Sequence, residues 1–518
     1  MANKSKKTSG PKAARLALDL KGISKSFGPV HANKDIDLSV EAGTIHGIIG
    51  ENGAGKSTLM NILYGLHPAD RGGMKVNGEE LKINGSADAI NAGIGMVHQH
   101  FMLVPRFTVL ENVMLGSEGG LTLKSGQTAT IARLQELGEN YGMHVDPHAL
   151  ISDLNVGTRQ RVEILKALKG GAKILILDEP TGVLTPQETE QLFEILKVLR
   201  KDGVTILLIT HKLDEIMAIT DNVSIMRQGE MVGHRVTKKT NPQELAELMV
   251  GRKVLLSVDK GTSKPKEAQL SVEGLNIWSS RGHQVIEDLS FEVKAGEIFG
   301  IAGVSGNGQS ELMEVLGGMR PIGSGRVSIL GQTVNPTNPT DPSALRNIGM
   351  GHIPEDRHEH GLVLDFEAQE NMVLGYHKTA LTGGGRLMDA KAVTAHCEAQ
   401  MEKYDVRPAN PKLPARNFSG GNQQKIVIAR EMFADPKVLI VGQPTRGVDV
   451  GAIEFIHNQL IALRDRGCAI VLVSVELDEV MSLADRIMVM NDGRNMGVVE
   501  AKKTDANALG LMMAGVAA

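Results

Sequence analysis

The 518-residue sequence predicts an α/β fold that is repeated in two tandem domains. One observation is an internal repeat, because GTIHGIIGENGAGKS at 43–57 is echoed by GEIFGIAGVSGNGQS at 296–310. A second echo lies further on, where ILDEPT at 176–181 is matched by IVGQPT at 440–445. In each half an apolar run also leads into a glycine-rich turn and then into a helical apolar pattern. The period of about 250 residues is far too long for a solenoid, so the repeat indicates a duplicated domain.

Each half opens with a predicted strand, turn and helix. Residues 45–49 form an apolar run that predicts a buried strand. After the turn, apolar side chains recur at i, i+3, i+4 and i+7, the spacing of one helix face. They are Leu59, Ile62, Leu63 and Leu66 in the first half and Leu312, Val315, Leu316 and Met319 in the second. A strand that feeds a glycine loop and then a helix is the setting that a phosphate-binding loop requires.

The repeat also sets the predicted domain boundaries. We expect a first domain over 17–252 and a second over 268–518, with a lysine-rich linker at 253–267. Residues 1–16 are basic and are not followed by an apolar stretch, so they predict a disordered tail and not a signal peptide.

Composition excludes several classes of protein. The 56 basic and 60 acidic side chains nearly balance, which argues against a dedicated duplex nucleic-acid binder. Cys397 and Cys468 form no CxxC pair, which excludes a disulfide scaffold and fits a reducing compartment. The longest apolar runs are much shorter than the roughly 18–20 residues that span a bilayer. Any work at a membrane is therefore expected to go through a partner chain.

The first half carries a complete phosphate-binding loop, GENGAGKS at 50–57. Its glycines let backbone N–H groups wrap phosphate oxygens, and the following helix adds its positive end. Lys56 supplies a point charge, and the Ser57 hydroxyl suits Mg²⁺. A chance glycine turn is the alternative, which the strand before and the helix after disfavour. The predicted ATP-binding residues here are Gly50, Glu51, Asn52, Gly53, Ala54, Gly55, Lys56, Ser57 and Thr58.

An acidic pair follows a second apolar run. Asp178 is placed to hold Mg²⁺ through water, and Glu179 can polarise the attacking water. An isolated Asp-Glu pair after a strand is more often a solvated strand end, but a phosphate-binding loop upstream favours the functional interpretation. His211, which follows the run 205–210, could contact the γ-phosphate, although a lone histidine after a strand is usually structural.

In both halves the motifs resemble, in kind and in order, those of the ABC ATPase family. The resemblance implies P-loop NTPase domains, each with a RecA-like core, an antiparallel β subdomain and a helical signature subdomain. It implies that Gln99 contacts Mg²⁺ and the membrane partner and that His211 is the switch histidine. It also implies that Phe27 stacks on adenine, the alternative being a core phenylalanine. FSGGNQ at 418–423 resembles the LSGGQ signature, which caps the γ-phosphate bound on the opposite domain.

In that family the two domains face each other head to tail, so each nucleotide site combines elements of both. The first composite site is complete on this pattern. Its implied catalytic residues are Lys56, Gln99, Glu179 and His211; its metal-facing residues are Ser57, Gln99 and Asp178; and the opposite domain supplies Ser419, Gly420, Gly421 and Asp449.

The other composite site is altered on both faces. Its loop residues are Gly303, Gly306, Gly308, Gln309 and Ser310, so Gln309 replaces the lysine. Gly442 and Gln443 replace the Asp-Glu pair, Glu355 stands at the Q-loop position, and Val475 at the histidine position. The facing signature is LNVGT at 154–158, and Thr185 stands at the D-loop aspartate position. We expect the first site to hydrolyse ATP, and the second to bind nucleotide weakly or only to hold the interface.

The fused, asymmetric pair resembles the ATP-binding subunits of bacterial importers for simple sugars and nucleosides. Residues 98–105, 154–160 and 306–310 are most similar to the nucleoside-type branch. This resemblance implies ATP and Mg²⁺ as cofactors, and peripheral attachment to the cytoplasmic face of the inner membrane. A permease would dock at the Q-loop grooves, a solute-binding protein would act indirectly, and no nucleic acid is expected. The apolar patch 101–104 could meet a permease helix, or it could be core.

Two other classes remain as alternatives. A soluble twin ATPase acting on ribosomes or nucleic acid would be expected to keep two competent sites and a long charged linker. A non-enzymatic regulator would not need the complete first site. His352, His358 and His360 are interpreted as solvated side chains of a charged loop and not as a metal cluster.

Overall fold

The computed structural model describes residues 15–28, 30–98, 101–116, 123–182, 184–253, 260–279, 282–304, 306–377, 388–448 and 450–515. The chain divides into two compact units. One comprises Met1–Leu184 with Glu188–Val254, and the other comprises Thr185–Gln187 with Leu255–Ala518. Most of the predicted basic tail lies outside the described residues.

The first unit contains two sheets. Its strands are β1 (Leu16–Phe27), β2 (Val30–Glu41), β3 (Ile45–Gly50), β4 (Arg71–Val76), β5 (Glu79–Leu81), β6 (Ile94–Val97), β7 (Ile174–Asp178), β8 (Thr205–Ile209), β9 (Asn222–Arg227) and β10 (Glu230–Val236). An antiparallel sheet has the order β2-β1-β4-β5. A six-stranded sheet has the order β10-β9-β3-β8-β7-β6, in which all pairs are parallel except β9 with β10. The carboxyl ends of β3 and β7, on either side of β8, therefore lie at the same end of the parallel sheet.

Helices connect the strands of this unit, and some of them begin at side-chain caps. The helices are α1 (Lys56–Leu63), α2 (Ser86–Asn91), α3 (Val109–Met114), α4 (Leu123–Tyr141), α5 (Val156–Lys169), α6 (Pro186–Lys201), α7 (Leu213–Ile219) and α8 (Pro242–Val250). Thr108 and Glu111 form a reciprocal capping box at α3. The Asn155 side chain accepts a hydrogen bond from the Thr158 N–H at the start of α5.

The second unit repeats this plan. Its strands are β11 (Ala268–Trp278), β12 (Gln284–Lys294), β13 (Glu297–Ala302), β14 (Ser324–Ile329), β15 (Gln332–Val334), β16 (Met350–Ile353), β17 (Val438–Gly442), β18 (Ala469–Val473), β19 (Arg486–Asn491) and β20 (Arg494–Glu500). Its helices are α9 (Gln309–Leu316), α10 (Pro342–Asn347), α11 (Ala368–Met372), α12 (Ala390–Lys403), α13 (Gly420–Phe433), α14 (Val450–Asp465), α15 (Leu477–Leu483) and α16 (Ala506–Met513). The sheet orders are β12-β11-β14-β15 and β16-β17-β18-β13-β19-β20. The predicted α/β repeat is confirmed.

The predicted helical stripe is correct for three of its four positions in each half. Leu59, Ile62 and Leu63 are buried on α1, which ends at Leu63. Leu66 lies beyond that end and is 49% exposed, because the chain turns at Gly65 with φ 79°. In the second unit Met319 likewise lies beyond the end of α9 and is exposed. The prediction was therefore wrong for the last position, since a turn ended each helix before the spacing was completed.

The interpretation of His352 as a solvated loop residue was also wrong. His352 lies on β16, its backbone N–H donates to Glu431 Oε2 at 3.3 Å, and burial lowers its pKa to about 4. His358 and His360 follow the strand and are exposed, as expected. In the described part of the chain, no helix has both the length and the apolar character needed to cross a membrane.

Candidate nucleotide-binding site

The phosphate-binding loop of the first unit joins the end of β3 to the start of α1. Gly53 and Gly55 have φ of 81° and 96°, in the left-handed region that favours glycine. At Gly50 a Cβ atom would lie only 2.4 Å from the Met226 carbonyl oxygen. The Ala54 N–H donates to the Glu51 carbonyl at 3.0 Å. These constraints leave a preformed loop whose backbone can approach a phosphate closely.

Lys56 reaches back across the loop that precedes it. Its ammonium donates to the carbonyls of Gly50 at 2.7 Å and Glu51 at 3.0 Å. Burial lowers the pKa of Lys56, and the neighbouring carboxylates of Glu179 and Asp178 act in the opposite direction. The positive charge is thus held over the loop before any phosphate arrives.

Ser57 and Asp178 lie side by side. Asp178 ends β7, and its carboxylate is hydrogen-bonded by the Ser57 side chain. Burial raises the pKa of Asp178, and the Glu179 charge beside it adds to that rise. A neighbouring hydroxyl and carboxylate are oxygen donors of the kind that Mg²⁺ prefers. The residues therefore fit the metal that the sequence predicts.

Glu179 is oriented by backbone strain and by His211. Its φ is 47°, and its N–H donates to the Ile209 carbonyl at 2.9 Å. The His211 Nδ1 lies 3.0 Å from Glu179 Oε1. Burial alone would raise the pKa of Glu179, but the His211 hydrogen bond and the charges of His211 and Lys56 lower it overall. The side chain is therefore an ionised carboxylate, as a base that orients water must be.

Glu215 supports this pair and was missed by the sequence reasoning. It is buried on α7, and its two carboxylate oxygens accept the hydroxyls of Thr181 and Thr210. Those two threonines flank Glu179 and His211 along the chain, so Glu215 ties the two segments together. The available signal was its position four residues after His211, on a face that a short helix must bury.

Phe27 is not a core residue. It ends β1 with 44% of its surface exposed, and its ring contacts His67 edge to face at 5.4 Å between centroids. The Lys25 ammonium lies 5.5 Å from the ring centre. The exposed ring is thus free to receive a flat ligand. Gln99 lies outside the described residues.

The second unit keeps the loop conformation and changes its chemistry. Gly306 and Gly308 have φ of 94° and 95°, close to their first-unit counterparts. Gln309 begins α9 with 5% of its surface exposed, and its Nε2 atom lies so near Gly303 that a Cβ there would be 2.2 Å away. An amide thus occupies the place of the ammonium, and the fixed positive charge is lost.

The acidic pair of the second unit is rebuilt around different side chains. Gln443 has φ 45° and donates its N–H to the Val473 carbonyl at 2.8 Å, as Glu179 does to Ile209. Its Oε1 accepts the Val475 N–H at 3.3 Å. The Ser310 hydroxyl donates to Glu355 Oε2 at 2.5 Å, a contact that the sequence did not indicate.

The signature segment of the second unit caps a helix. The Ser419 side chain is the N-cap of α13 and accepts from Asn422 Nδ2 at 2.8 Å. At Gly420 a Cβ would lie 2.8 Å from Arg357 Nη2 and 2.9 Å from the Gly447 carbonyl. In the first unit Asn155 keeps the cap, but Val156 stands where the glycine would be. Gly421 is buried, and Asp449 lies outside the described residues.

Comparison with known proteins gives consistent matches. The sequence matches the ABC transporter family over residues 33–182 and 286–446. It is 46% identical to the nucleoside import ATP-binding protein NupA of Lactococcus lactis subsp. cremoris, covering 95% of this chain and 97% of that protein. It is 46% identical to the guanosine import ATP-binding protein NupO of Bacillus subtilis, covering 96% and 97%. It is 39% identical to a ribose import ATP-binding protein, RbsA, of Streptococcus agalactiae, covering 95% and 98%.

A solved structure resembles the chain in fold. The archaeal ribosome recycling factor aABCE1, in its complex with the ribosomal stalk protein aP1, aligns with a TM-score of 0.59. The alignment covers 90% of this chain and 87% of that one at 16% identity, which is a likeness of fold alone.

Proposed function

This chain belongs to the ABC transporter family and binds ATP, and we propose that it is the ATPase subunit of a membrane importer for nucleosides. The observation that carries the proposal is the division of chemistry between the two units. In the first, Lys56, Ser57, Asp178, Glu179 and His211 converge on one phosphate-binding loop. In the second, the same backbone carries neutral or displaced side chains.

Each residue of the first loop has a distinct role in this proposal. Backbone N–H groups and Lys56 bind the β- and γ-phosphates. Ser57 and Asp178 would hold Mg²⁺, which would supply positive charge to the phosphoryl group. Glu179 accepts a proton from the attacking water, and His211 keeps its carboxylate aligned. Phe27 offers an exposed ring for the adenine. Gln99 would complete the metal environment.

The signature of the second unit is proposed to close this site from the opposite side. Ser419, Gly420 and Gly421 form a helix N-terminus, which attracts anions through its free N–H groups. Asp449 would add a polar contact. Binding of ATP between two such faces favours the closed state, and hydrolysis releases it, which is how a permease could be switched between two conformations.

An exposed apolar surface on the first unit suits a permease helix. Met102 is 61% exposed, and Phe107, Leu115 and Leu150 are also exposed large apolar side chains. The Ile151 N–H donates to the Phe107 carbonyl at 3.0 Å, which keeps the two segments adjacent. Leu103 is instead buried, so the predicted patch 101–104 divides between surface and core. Exposed apolar side chains that form one contiguous patch are a sign of a docking surface.

The proposed cargo follows the relatives. Two of them, at 46% identity, are named for import of nucleosides or guanosine, and the ribose protein is less similar. We propose that the chain lies at the cytoplasmic face of the inner membrane, bound to a permease. A solute-binding protein would deliver the solute to that permease.

The test is uptake of radiolabelled nucleosides and ribose by cells that carry the wild-type chain or Lys56→Ala. We expect nucleoside uptake to depend on Lys56 and to survive the matched control Lys75→Ala, an exposed lysine on β4. Uptake that persists in Lys56→Ala would refute the proposal. Co-sedimentation with ribosomes, without a permease in the purified complex, would favour the soluble class of twin ATPase.

A further inference from the structure

The second phosphate-binding loop has a carboxylate within hydrogen-bond distance of its serine. The Ser310 hydroxyl donates to Glu355 Oε2 at 2.5 Å. In the first unit the corresponding serine, Ser57, is bonded to Asp178 at the end of β7. The same serine-to-carboxylate contact is therefore made in both units, but by side chains from different strands.

The packing around Gly442 accounts for the different position of the carboxylate in the second unit. Gly442 ends β17 at the position of Asp178, and a Cβ atom there would lie 2.6 Å from Glu355 Cγ. It would also lie 2.6 Å from Met313 Sδ. The Glu355 side chain thus fills the volume that an aspartate at 442 would need. In this conformation the two carboxylates are mutually exclusive.

The exchange conserves charge at the metal-facing positions. The first unit pairs a neutral Gln99 with Asp178, and the second pairs Glu355 with a side-chain-free Gly442. Each unit therefore keeps one carboxylate beside its serine. A loop that had only lost its function would have no reason to preserve this count.

A second, independent feature also points into this loop. The Gln309 side chain is only 5% exposed, and its amide nitrogen lies against Gly303 of the loop. Its counterpart Lys56 donates to two loop carbonyls. The amide nitrogen carries two N–H donors and keeps the hydrogen-bonding capacity of this position without its charge. A phosphate oxygen in the loop would accept its N–H.

We propose that Glu355 is the metal-facing carboxylate of the second phosphate-binding loop, and that this loop retains Mg²⁺ with ATP without hydrolysing it. This proposal rests on the proposed function, because it assumes a nucleotide-binding chain. Ser310 and Glu355 supply the hydroxyl and carboxylate oxygens, and Gln309 donates to phosphate. Retention without turnover follows because Gln443 stands where the general base would be, and an amide cannot accept the proton from water. Because the second loop lacks the lysine charge, it binds its nucleotide more weakly than the first loop does.

The experiment counts nucleotides and metal ions on the full chain in the hydrolysis-impaired Glu179→Gln background. Equilibrium binding of radiolabelled ATP gives the nucleotide count, and electron paramagnetic resonance with Mn²⁺ in place of Mg²⁺ gives the metal count. We expect one tight and one weaker nucleotide, each with one Mn²⁺. Adding Glu355→Gln should weaken the second nucleotide and its Mn²⁺ at least tenfold and leave the first unchanged. The matched control Glu359→Gln alters an exposed carboxylate in the same segment and should change neither.

A reciprocal variant guards against misfolding as an explanation. Glu355→Ala combined with Gly442→Asp removes the side chain that fills this volume, returns a carboxylate to β17 and should restore the second Mn²⁺. The proposal is overturned if Glu355→Gln leaves the second nucleotide and its Mn²⁺ unchanged, or if it tightens them, since the carboxylate would then be repelling phosphate. It is also overturned if only one nucleotide binds before Glu355 is changed. If the first nucleotide also fails to bind, it is the proposed function that fails.

Discussion

Replacing Glu179 by glutamine is the sharpest test of where hydrolysis occurs. Glutamine keeps the size of the side chain and can still bond His211, but it cannot take a proton from water. Loss of a positioned general base typically costs about 10²–10⁴-fold in rate, which corresponds to roughly 3–5 kcal/mol in the activation barrier. We therefore expect ATP turnover to fall at least 10²-fold while ATP binding persists.

The second unit shows that the fold accepts this change. Gln443 occupies the corresponding position with φ 45°, against 47° at Glu179, and makes the corresponding backbone hydrogen bond. A glutamine at 179 should consequently leave the strand end and its left-handed backbone intact. Any loss of activity can then be assigned to chemistry and not to misfolding.

The assay is steady-state release of phosphate from the purified chain with its permease, alongside equilibrium ATP binding. Gln443→Glu serves as the reciprocal variant and should not raise turnover, because Gln309 and Gly442 remain altered in that unit. If Glu179→Gln retains more than about a tenth of the wild-type rate, Glu179 is not the general base. If Gln443→Glu in that background restores turnover, the division of labour between the units is wrong.

Three further outcomes are expected. Met102→Asp should leave the melting temperature nearly unchanged but uncouple ATPase activity from uptake. Leu103→Asp, at a buried position, should instead lower the melting temperature by several degrees. Equal effects of the two variants on the melting temperature would contradict the assignment of Met102 to the surface. Burial, and then the charge of the neighbouring His234, lower the pKa of His46 to about 4, so below pH 6.5 the unfolded chain binds a proton that the folded chain does not. The free energy of unfolding should therefore fall by about 2 kcal/mol from pH 7 to pH 5. Urea unfolding measured across this range should show a shallower pH dependence for His46→Phe than for the wild type. Burial raises the pKa of both cysteine thiols to about 12, so iodoacetamide at pH 8 should label the native chain far more slowly than the unfolded one, and rapid native labelling would show that the thiols are accessible.

The sequence was informative wherever function depends on backbone pattern. Glycine spacing and strand periodicity predicted both phosphate-binding loops, and the positive φ values at Gly55 and Gly308 show why glycine is needed there. The ends of α1 and α9 were misjudged because a periodic pattern does not reveal where a turn interrupts it. The error at His352 has a similar origin: a run of charged neighbours suggested a loop, while the residue itself belongs to a short buried strand.

What the sequence could not provide were contacts between side chains that are distant along the chain. The bonds from Thr181 and Thr210 to Glu215 depend on how α7 packs beneath two strands. The bond from Ser310 to Glu355 depends on the volume left free at Gly442. Both are set by three-dimensional packing, which residue spacing does not encode.

The crowding between Glu355 and position 442 constrains the history of the second unit. An ancestor with two similar halves could not have gained the glutamate at 355, in its present conformation, while an aspartate still occupied 442, because their atoms would overlap. The smaller residue at 442 had to come first, or the two changes had to arise together. The opposite order applies when a symmetric enzyme is rebuilt: the side chain at 355 must be replaced by a smaller one before an acid is introduced at 442. The fitness effect of either substitution thus depends on the other, and reversal one step at a time must begin at 355.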